Sequence, residues 1–345
     1  MEAYFTACTD LPNFFSVLMQ SANLNQMTSS SDTQAMEYRK LGGTDLQVSV
    51  LGFGTAPLGD LYGITDPSEG QRAVHLAIDE GINFFDSSPY YGVTLAEERL
   101  GQALAGKRHQ VLLATKCGRY GFADFDFSAQ RIMRSVDESL RRLQTDYLDL
   151  FQAHDVEFGD VEQIIHETVP AMRKIQEQGK ARFIGITGYP LKTLVRIAEA
   201  VPVDTVLSYC HYNLMVTDMD DVLTPLARKK GIGLINAAGL HMGILTMEGE
   251  QAWHPAPPEV RAVGRKLATL CRERGTDIAE VAIRFCLDHP YVSSTLVGIP
   301  SRAQLKANLK LLRAQTDAEL MKEIRSVIAP VFNYVWPSGR PENNA

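Results

Sequence analysis

The 345-residue chain is 45% hydrophobic and 22% charged, which is enough apolar material for a large core and excludes a metal- or disulfide-stapled mini-domain. Lys and Arg number 34 against 41 Asp and Glu, a net charge of −7 that argues against a nucleic-acid binder or a binder of anionic membranes. Five cysteines without a CxxC pair give neither a disulfide framework nor a zinc spacing, and point to a reducing, cytoplasmic setting with no metal site.

Residues 1–35 hold no Lys or Arg, so neither a secretory nor a mitochondrial leader fits. Their apolar patch, 14–19, falls far short of the roughly 20 residues that span a bilayer. Ser, Thr, Asn, Gln and Met dominate 21–35, a composition that predicts a disordered extension ahead of a single working domain over 36–345. Gly42-Gly43 within 36–47 predicts a hairpin at the start of that domain, placed to close its floor.

From there short β-rich runs alternate with amphipathic stretches. Strands are predicted at 48–54, 81–87, 111–116, 147–154, 181–187, 205–212, 232–238 and 294–299. Each run is apolar throughout rather than alternating, as in strands covered on both faces. Helices are predicted at 68–80, 95–105, 128–143, 161–177, 191–200, 219–230, 258–274 and 301–312, with a further one at 318–327. Pro67-Ser68 opens the first, Ser128 is placed as an N-cap, and Gly81, Gly179 and Gly231 follow helix ends. Eight strand–helix units predict a (β/α)8 barrel. An open doubly wound sheet is the runner-up, but the GxGxxG that would announce it is missing: Gly52-Phe53-Gly54 lacks the third glycine.

In a (β/α)8 barrel the chemistry sits where the strands end. Asp86 ends the second predicted strand, Lys116 the third and His154 the fourth, followed by Asp155, while Tyr91 lies five residues past Asp86. Singly, each has a plainer reading: a turn cap, a snorkelling lysine, a packed tyrosine, a core histidine. Jointly they suggest proton chemistry, although a structural ion pair between Asp86 and Lys116 is an alternative. A free phenol has a pKa of about 10. One cation about 4 Å away at an effective dielectric near 20 contributes about 4 kcal/mol, enough to bring a tyrosine toward neutral pH. Lys116 is placed to do this for Tyr91, with Asp86 holding the ammonium and His154 donating a hydrogen bond to a substrate oxygen. Cys117 and Cys210 lie near these positions and read as buried, inert thiols.

These residues resemble the tetrad of the aldo-keto reductase superfamily. LGFGTAPLG (51–59), INFFDSSPYYG (82–92), ATKCGRYGF (114–122), HDVEFGD (154–160), FIGITGYPL (183–191), LSYCHYN (207–213), WHPAPPE (253–259) and WPSG (336–339) carry the likeness, which runs from about Tyr38 to the end. Within the superfamily they resemble the L-galactose dehydrogenase branch of plant ascorbate biosynthesis. The resemblance implies a catalytic set of Tyr91, Lys116, Asp86 and His154, with Tyr91 as general acid/base. The implied reaction is NAD-dependent oxidation of the anomeric carbon of an aldose, such as L-galactose, L-fucose or D-arabinose, to its lactone.

For the cofactor, the resemblance implies contacts from Gly54, Thr55, Asp86, Thr187, Ser208, Tyr209, Asn236, Gly239, Gly298, Ser301, Arg302, Gln304 and Asn308. The usual Ser-Asn pair after the fifth strand is replaced by Thr187-Gly188, and no Tyr follows the seventh, where Asn236-Ala237-Ala238-Gly239 stands. Gly298 and Gln304 occupy positions that are cationic in NADP-preferring relatives, which favours NAD over NADP, with Arg302 as the remaining cation. Trp253, with His254 on a Pro-rich stretch, is a candidate to cover the sugar beside Tyr91 and His154. Two other functions compete: an NADPH-dependent aldehyde or ketone reductase, and a nucleotide-sensing, non-catalytic subunit. The expected partner is a small aldose, with no nucleic acid or membrane, and the chain is expected to be a monomer or homodimer.

Overall fold

The structure, a computed structural model, describes residues 36–344; the predicted extension over 1–35 lies outside the described residues. Two short antiparallel strands, β1 (Tyr38–Lys40) and β2 (Gln47–Ser49), form the expected hairpin. Eight parallel strands then close into a barrel: β3 (Leu51–Gly54), β4 (Phe84–Asp86), β5 (Leu112–Cys117), β6 (Leu148–Ala153), β7 (Ala181–Gly188), β8 (Thr205–Tyr209), β9 (Gly233–Ala237) and β10 (Ser294–Gly298), with β10 pairing back onto β3. The doubly wound alternative falls with that closure. Among the described residues no helix is long and apolar enough to cross a membrane.

Strand β2 takes residues assigned from sequence to the first barrel strand, which therefore starts only at Leu51. Leu41, Leu46 and Val48 plug the barrel floor, packing with Phe84, Ala114, Leu150, Leu207, Ile235 and Leu296. The hairpin turn presses so closely on the base of β9 that a Cβ on Gly42, at φ +57°, would lie 2.2 Å from the Gly233 nitrogen.

The outer layer comprises α1 (Pro67–Asp79), α2 (Leu95–Ala103), α3 (Ala129–Arg142), α4 (Val161–Gln163), α5 (Val169–Glu177), α6 (Leu191–Ala200), α7 (Met219–Lys230), α8 (Pro258–Glu273), α9 (Ile278–Leu287), α10 (Arg302–Leu311) and α11 (Ala318–Ile328). Asp66 rather than Pro67 caps α1, accepting from the amides of Ser68 (2.8 Å) and Glu69 (3.3 Å), while Ser128 caps α3 as predicted. The single helix expected over 161–177 is three segments, with a π turn at Ile164–Thr168 joining α4 to α5. Pro170 is the physical reason: it has no N–H to give to the preceding turn, which widens. Helix α9 has no counterpart among the helices predicted from sequence. Ile278, Ala282, Ile283, Cys286 and Leu287 bury so much of its surface that no strong two-faced pattern marks it.

Candidate active site

Strand alternation builds the site one layer above the apolar floor. Phe84, Ala114, Leu150 and Leu207 point into the barrel, so Asp86, Lys116, Gln152 and Tyr209, two residues on, point the same way at its C-terminal end. His154 follows β6 with the same parity as Gln152, and Tyr91 enters from the loop after β4. The four residues predicted to act together are brought together.

Lys116 and Asp86 are 1% and 2% exposed. Such a pair is tolerated only when its charges are matched and its remaining donors and acceptors satisfied. Lys116 Nζ forms an ion pair with Asp86 Oδ1 and donates to the Ser87 carbonyl (2.8 Å) and to the Tyr91 hydroxyl (3.3 Å). The other carboxylate oxygen, Oδ2, accepts from Gln152 Nε2 at 2.8 Å. Sequence reasoning missed Gln152, although a glutamine inside an apolar strand, two residues before His154, was the available signal.

His154 is buried, and its ring stands perpendicular to that of Tyr91 with centroids 5.8 Å apart. Burial, helped by the cations of Lys116 and Arg119 and opposed by Asp155, lowers its pKa to about 3, so the imidazole is neutral. Its Nδ1 lies 3.0 Å from the Oγ of Ser88, a residue that nothing in the sequence marks out.

Tyr91 departs from expectation. Loss of water around its hydroxyl pushes the pKa well above the ordinary tyrosine value; the carboxylates of Asp86 and Asp155 add to this and Arg119 opposes it. The predicted net lowering by Lys116 is therefore not realised in the chain alone, because that ammonium is matched to Asp86. A protonated, lysine-bonded phenol results.

Around these four lies a second polar layer. Asp155, in the left-handed region at φ 51°, pairs with Arg119 (Nη1 to Oδ2, 2.5 Å), and Arg119 lies over the Tyr90 ring at 3.7 Å. Glu157 is fully buried; its Oε1 accepts from the Tyr209 hydroxyl (2.9 Å), Ser338 Oγ (3.2 Å) and the Tyr189 amide (3.3 Å). Burial and the nearby Asp155 charge raise its pKa to about 8. The C-terminal tail is tied to this point, with the Arg340 amide and Asn343 Nδ2 both donating to the Glu157 carbonyl (2.9 and 2.7 Å).

The chain matches the aldo/keto reductase family over residues 50–329. It belongs to that family. It is 43% identical to the L-galactose dehydrogenase of Arabidopsis thaliana, over 89% of this chain and 99% of that protein. It is 31% identical to the D-arabinose 1-dehydrogenase of Saccharomyces cerevisiae, over 85% of this chain and 95% of that one. The structure superimposes with a TM-score of 0.72 on an aldo-keto reductase from Bacillus halodurans in its holo form, at 27% identity, covering 90% of this chain and all of the other.

Aldo-keto reductases are oxidoreductases that work with a nicotinamide cofactor, and the residues expected to hold it divide by placement. Gly54 and Gly298 are neighbours in register at the barrel lip, and Gly54 also pairs with Asp86. Ser301 caps α10, Gln304 Nε2 donates to Asn308 Oδ1 (3.2 Å), and Asn308 Nδ2 is buried without a partner. This side-chain-free lip next to an unsatisfied buried donor fits the nucleoside end of a dinucleotide. Thr187 and Tyr209 are on the barrel-facing side of their strands.

Other candidates are placed differently. Ser208 and Asn236 alternate with inward-pointing Leu207, Ile235 and Ala237, so the period of two turns their side chains outward, and Asn236 Nδ2 donates to the Tyr212 carbonyl (3.1 Å). Gly239 backs onto Cys286 of α9, whose sulfur would lie 2.8 Å from an added Cβ. The Thr55 hydroxyl is occupied by the Asp86 carbonyl (3.0 Å) and Ser87 Oγ (2.9 Å), tying β3 to β4. Trp253 is not brought to the four central residues; it stacks with His254 at 6.3 Å. The tryptophan that reaches the Tyr209 side is Trp336 of the tail, stacked on Tyr189 at 5.2 Å, with Tyr189 in turn 5.4 Å from Tyr209.

Proposed function

We propose that the chain is an NAD-dependent sugar 1-dehydrogenase that oxidises the anomeric carbon of an aldose, L-galactose or a stereochemical relative such as L-fucose or D-arabinose, to its lactone. One observation carries the reading. The phenol of Tyr91, bonded to a buried ammonium, and the neutral imidazole of His154 stand side by side, ring against ring edge, at the barrel mouth, in a chain 43% identical to an L-galactose dehydrogenase.

The sugar enters as its cyclic hemiacetal. His154 Nε2–H donates to the C1 oxygen and fixes its position, while Tyr91 takes the hydroxyl proton as the C1–O1 bond becomes a carbonyl. Oxidation runs through the ionised phenol: its own proton is first lost to solvent, and Lys116 holds the phenolate oxygen and stabilises that charge until the sugar's proton arrives. A nicotinamide, when bound, supplies the hydride acceptor. In the reverse direction the same phenol is the acid, so one group serves both.

Two features favour NAD over NADP. Gly298 and Gln304 bring no charge to the region after β10, and the guanidinium that opens α10, Arg302, is engaged by Glu69 at 3.1 Å. Glu69, which also pairs with Arg72 (2.9 Å), is held at a pKa of about 2 chiefly by the Arg302 guanidinium and backbone amide, so the Arg302 fork that a 2′-phosphate would use is already occupied by a carboxylate.

An aldose panel of L-galactose, L-fucose, D-arabinose and L-glucose, assayed with NAD and with NADP for cofactor reduction, tests the reading. Turnover of at least one aldose with preference for NAD supports it. Turnover confined to NADPH-dependent reduction of simple carbonyls would replace it with the aldehyde reductase alternative.

A further inference from the structure

Asp155 is an expensive residue to place where it is. It is 5% exposed, in the left-handed backbone region that Asp enters more readily than most side-chain-bearing residues, and its amide is anchored to Thr187 Oγ1 at 3.1 Å. Its carboxylate is divided between two neighbours. Oδ2 is bound by Arg119, which is sandwiched among Tyr90, Phe125 and Phe158 at 3.7, 5.1 and 5.5 Å. Oδ1 faces His154 Nε2 at 3.7 Å, beyond hydrogen-bond length. This is the ring nitrogen left for the substrate once Nδ1 is taken by Ser88. A fixed donor and a fixed acceptor therefore stand side by side, slightly too far apart to satisfy each other. Two hydroxyl oxygens on adjacent carbons of a sugar are also about one hydrogen-bond length apart, and they match such a pair.

We propose that Asp155, set by Arg119 and Thr187, accepts a hydrogen bond from the C2 hydroxyl of the substrate while His154 holds the C1 oxygen, making the site selective for 2-hydroxy carbonyl compounds and their hemiacetals. This rests on the sugar dehydrogenase reading for its natural substrate, but the recognition itself applies equally to any 2-hydroxy aldehyde. A buried acceptor matched to a substrate hydroxyl discriminates strongly, because an analogue lacking that hydroxyl leaves the acceptor unpaired.

The test uses the full-length enzyme and two substrate pairs: L-galactose against 2-deoxy-L-galactose in the oxidative direction, and lactaldehyde against propionaldehyde in the reductive one. The wild-type ratio of kcat/KM within each pair is expected to favour the hydroxylated member by at least about thirtyfold. In Asp155→Asn this ratio should fall to within about threefold of unity, and Arg119→Met should move it the same way. A role in folding alone would lower both members together and leave the ratio intact. A wild-type ratio near one, or a ratio unchanged in both variants, overturns the proposal. If no aldose is oxidised but lactaldehyde is still preferred over propionaldehyde in an Asp155-dependent manner, the sugar dehydrogenase reading fails and this one stands. Absence of turnover with all four compounds overturns both.

Discussion

Ser88 Oγ lies 3.0 Å from His154 Nδ1 and accepts the Tyr90 amide at 3.1 Å. A serine oxygen that accepts this N–H keeps its own proton to give; donated to Nδ1, it leaves Nδ1 the unprotonated nitrogen of a neutral ring and puts the ring proton on Nε2, the tautomer the proposed reaction uses. In the proposed reaction Ser88 is thus the residue that selects which tautomer of His154 meets the sugar oxygen.

Replacing Ser88 with Ala should release that choice without disturbing the ion pair beneath. Turnover is expected to fall roughly tenfold, toward the lower range of losses for misplaced acid–base groups, with a smaller change in KM. The 15N chemical shifts of His154 should show the two tautomers mixing. Unchanged kcat together with unchanged ring shifts would remove Ser88 from the machinery.

Tyr91 sets the pH dependence. Because its pKa lies well above the ordinary tyrosine value, the ionised fraction rises about tenfold per pH unit across the neutral range, and kcat/KM for aldose oxidation should rise with it from about pH 6 to 9. Reduction needs the protonated phenol and should stay level over the same range. His154, neutral above about 3, adds no acid limb. Tyr91→Phe should lose at least about a hundredfold in both directions while cofactor binding, followed by fluorescence quenching, persists. A level oxidation profile would sink this assignment.

The barrel and the four central residues were legible in the sequence for one reason: strands buried on both faces write continuous apolar runs, and a polar residue ending such a run must be at the mouth. Asp86, Lys116 and His154 are of this kind. The same logic, carried one step further through the period of two, separates inward Tyr209 from outward Ser208; reading the pair as a unit lost that distinction. Ser88 and Glu157 were illegible because their roles depend on loops and on the tail meeting in space, 181 residues apart for Glu157 and Ser338. The sign of the Tyr91 shift was missed for a related reason. Counting Lys116 as a free cation ignored that a buried ammonium is matched by a carboxylate, whose field acts in the opposite direction.

Glu157 makes stability depend on pH. Its folded pKa is raised to about 8 from an ordinary 4.5, so folding takes up a proton between those values. Stability from this group is complete at low pH and is lost as pH rises through about 8, an effect on the order of a few kcal/mol. Its Oε2 is buried without a partner, so no donor stabilises a negative charge on that oxygen. Glu157→Gln keeps an acceptor for Tyr209 and Ser338 and cannot ionise. Thermal unfolding from about pH 5.5 to 9 should show Tm falling in the wild type and a distinctly flatter profile in the variant. Parallel profiles would mean that Glu157 stays ionised in the fold.

Glu69 is predicted to govern cofactor choice from outside the barrel. It binds the Arg302 amide (3.0 Å) and guanidinium (3.1 Å) together, linking the first turn of α1 to the start of α10. The carboxylate thus occupies the guanidinium that opens α10, while its other oxygen is shared with Arg72 (2.9 Å), and so keeps Arg302 from turning to a 2′-phosphate. Glu69→Gln frees Arg302 for bidentate phosphate binding. NADPH should then bind roughly three- to tenfold tighter relative to NADH. The gain should shrink as salt is raised from about 20 to 300 mM, because Arg302 is exposed and Glu69 only half-buried, so added ions screen their charges. Arg302→Ala on top of Glu69→Gln should return the preference to NADH, and Arg302→Ala alone should leave it there. Titration of both nucleotides by fluorescence checks this, and an NADPH-to-NADH affinity ratio that does not move in Glu69→Gln would show that the nucleotide's 2′ position lies elsewhere.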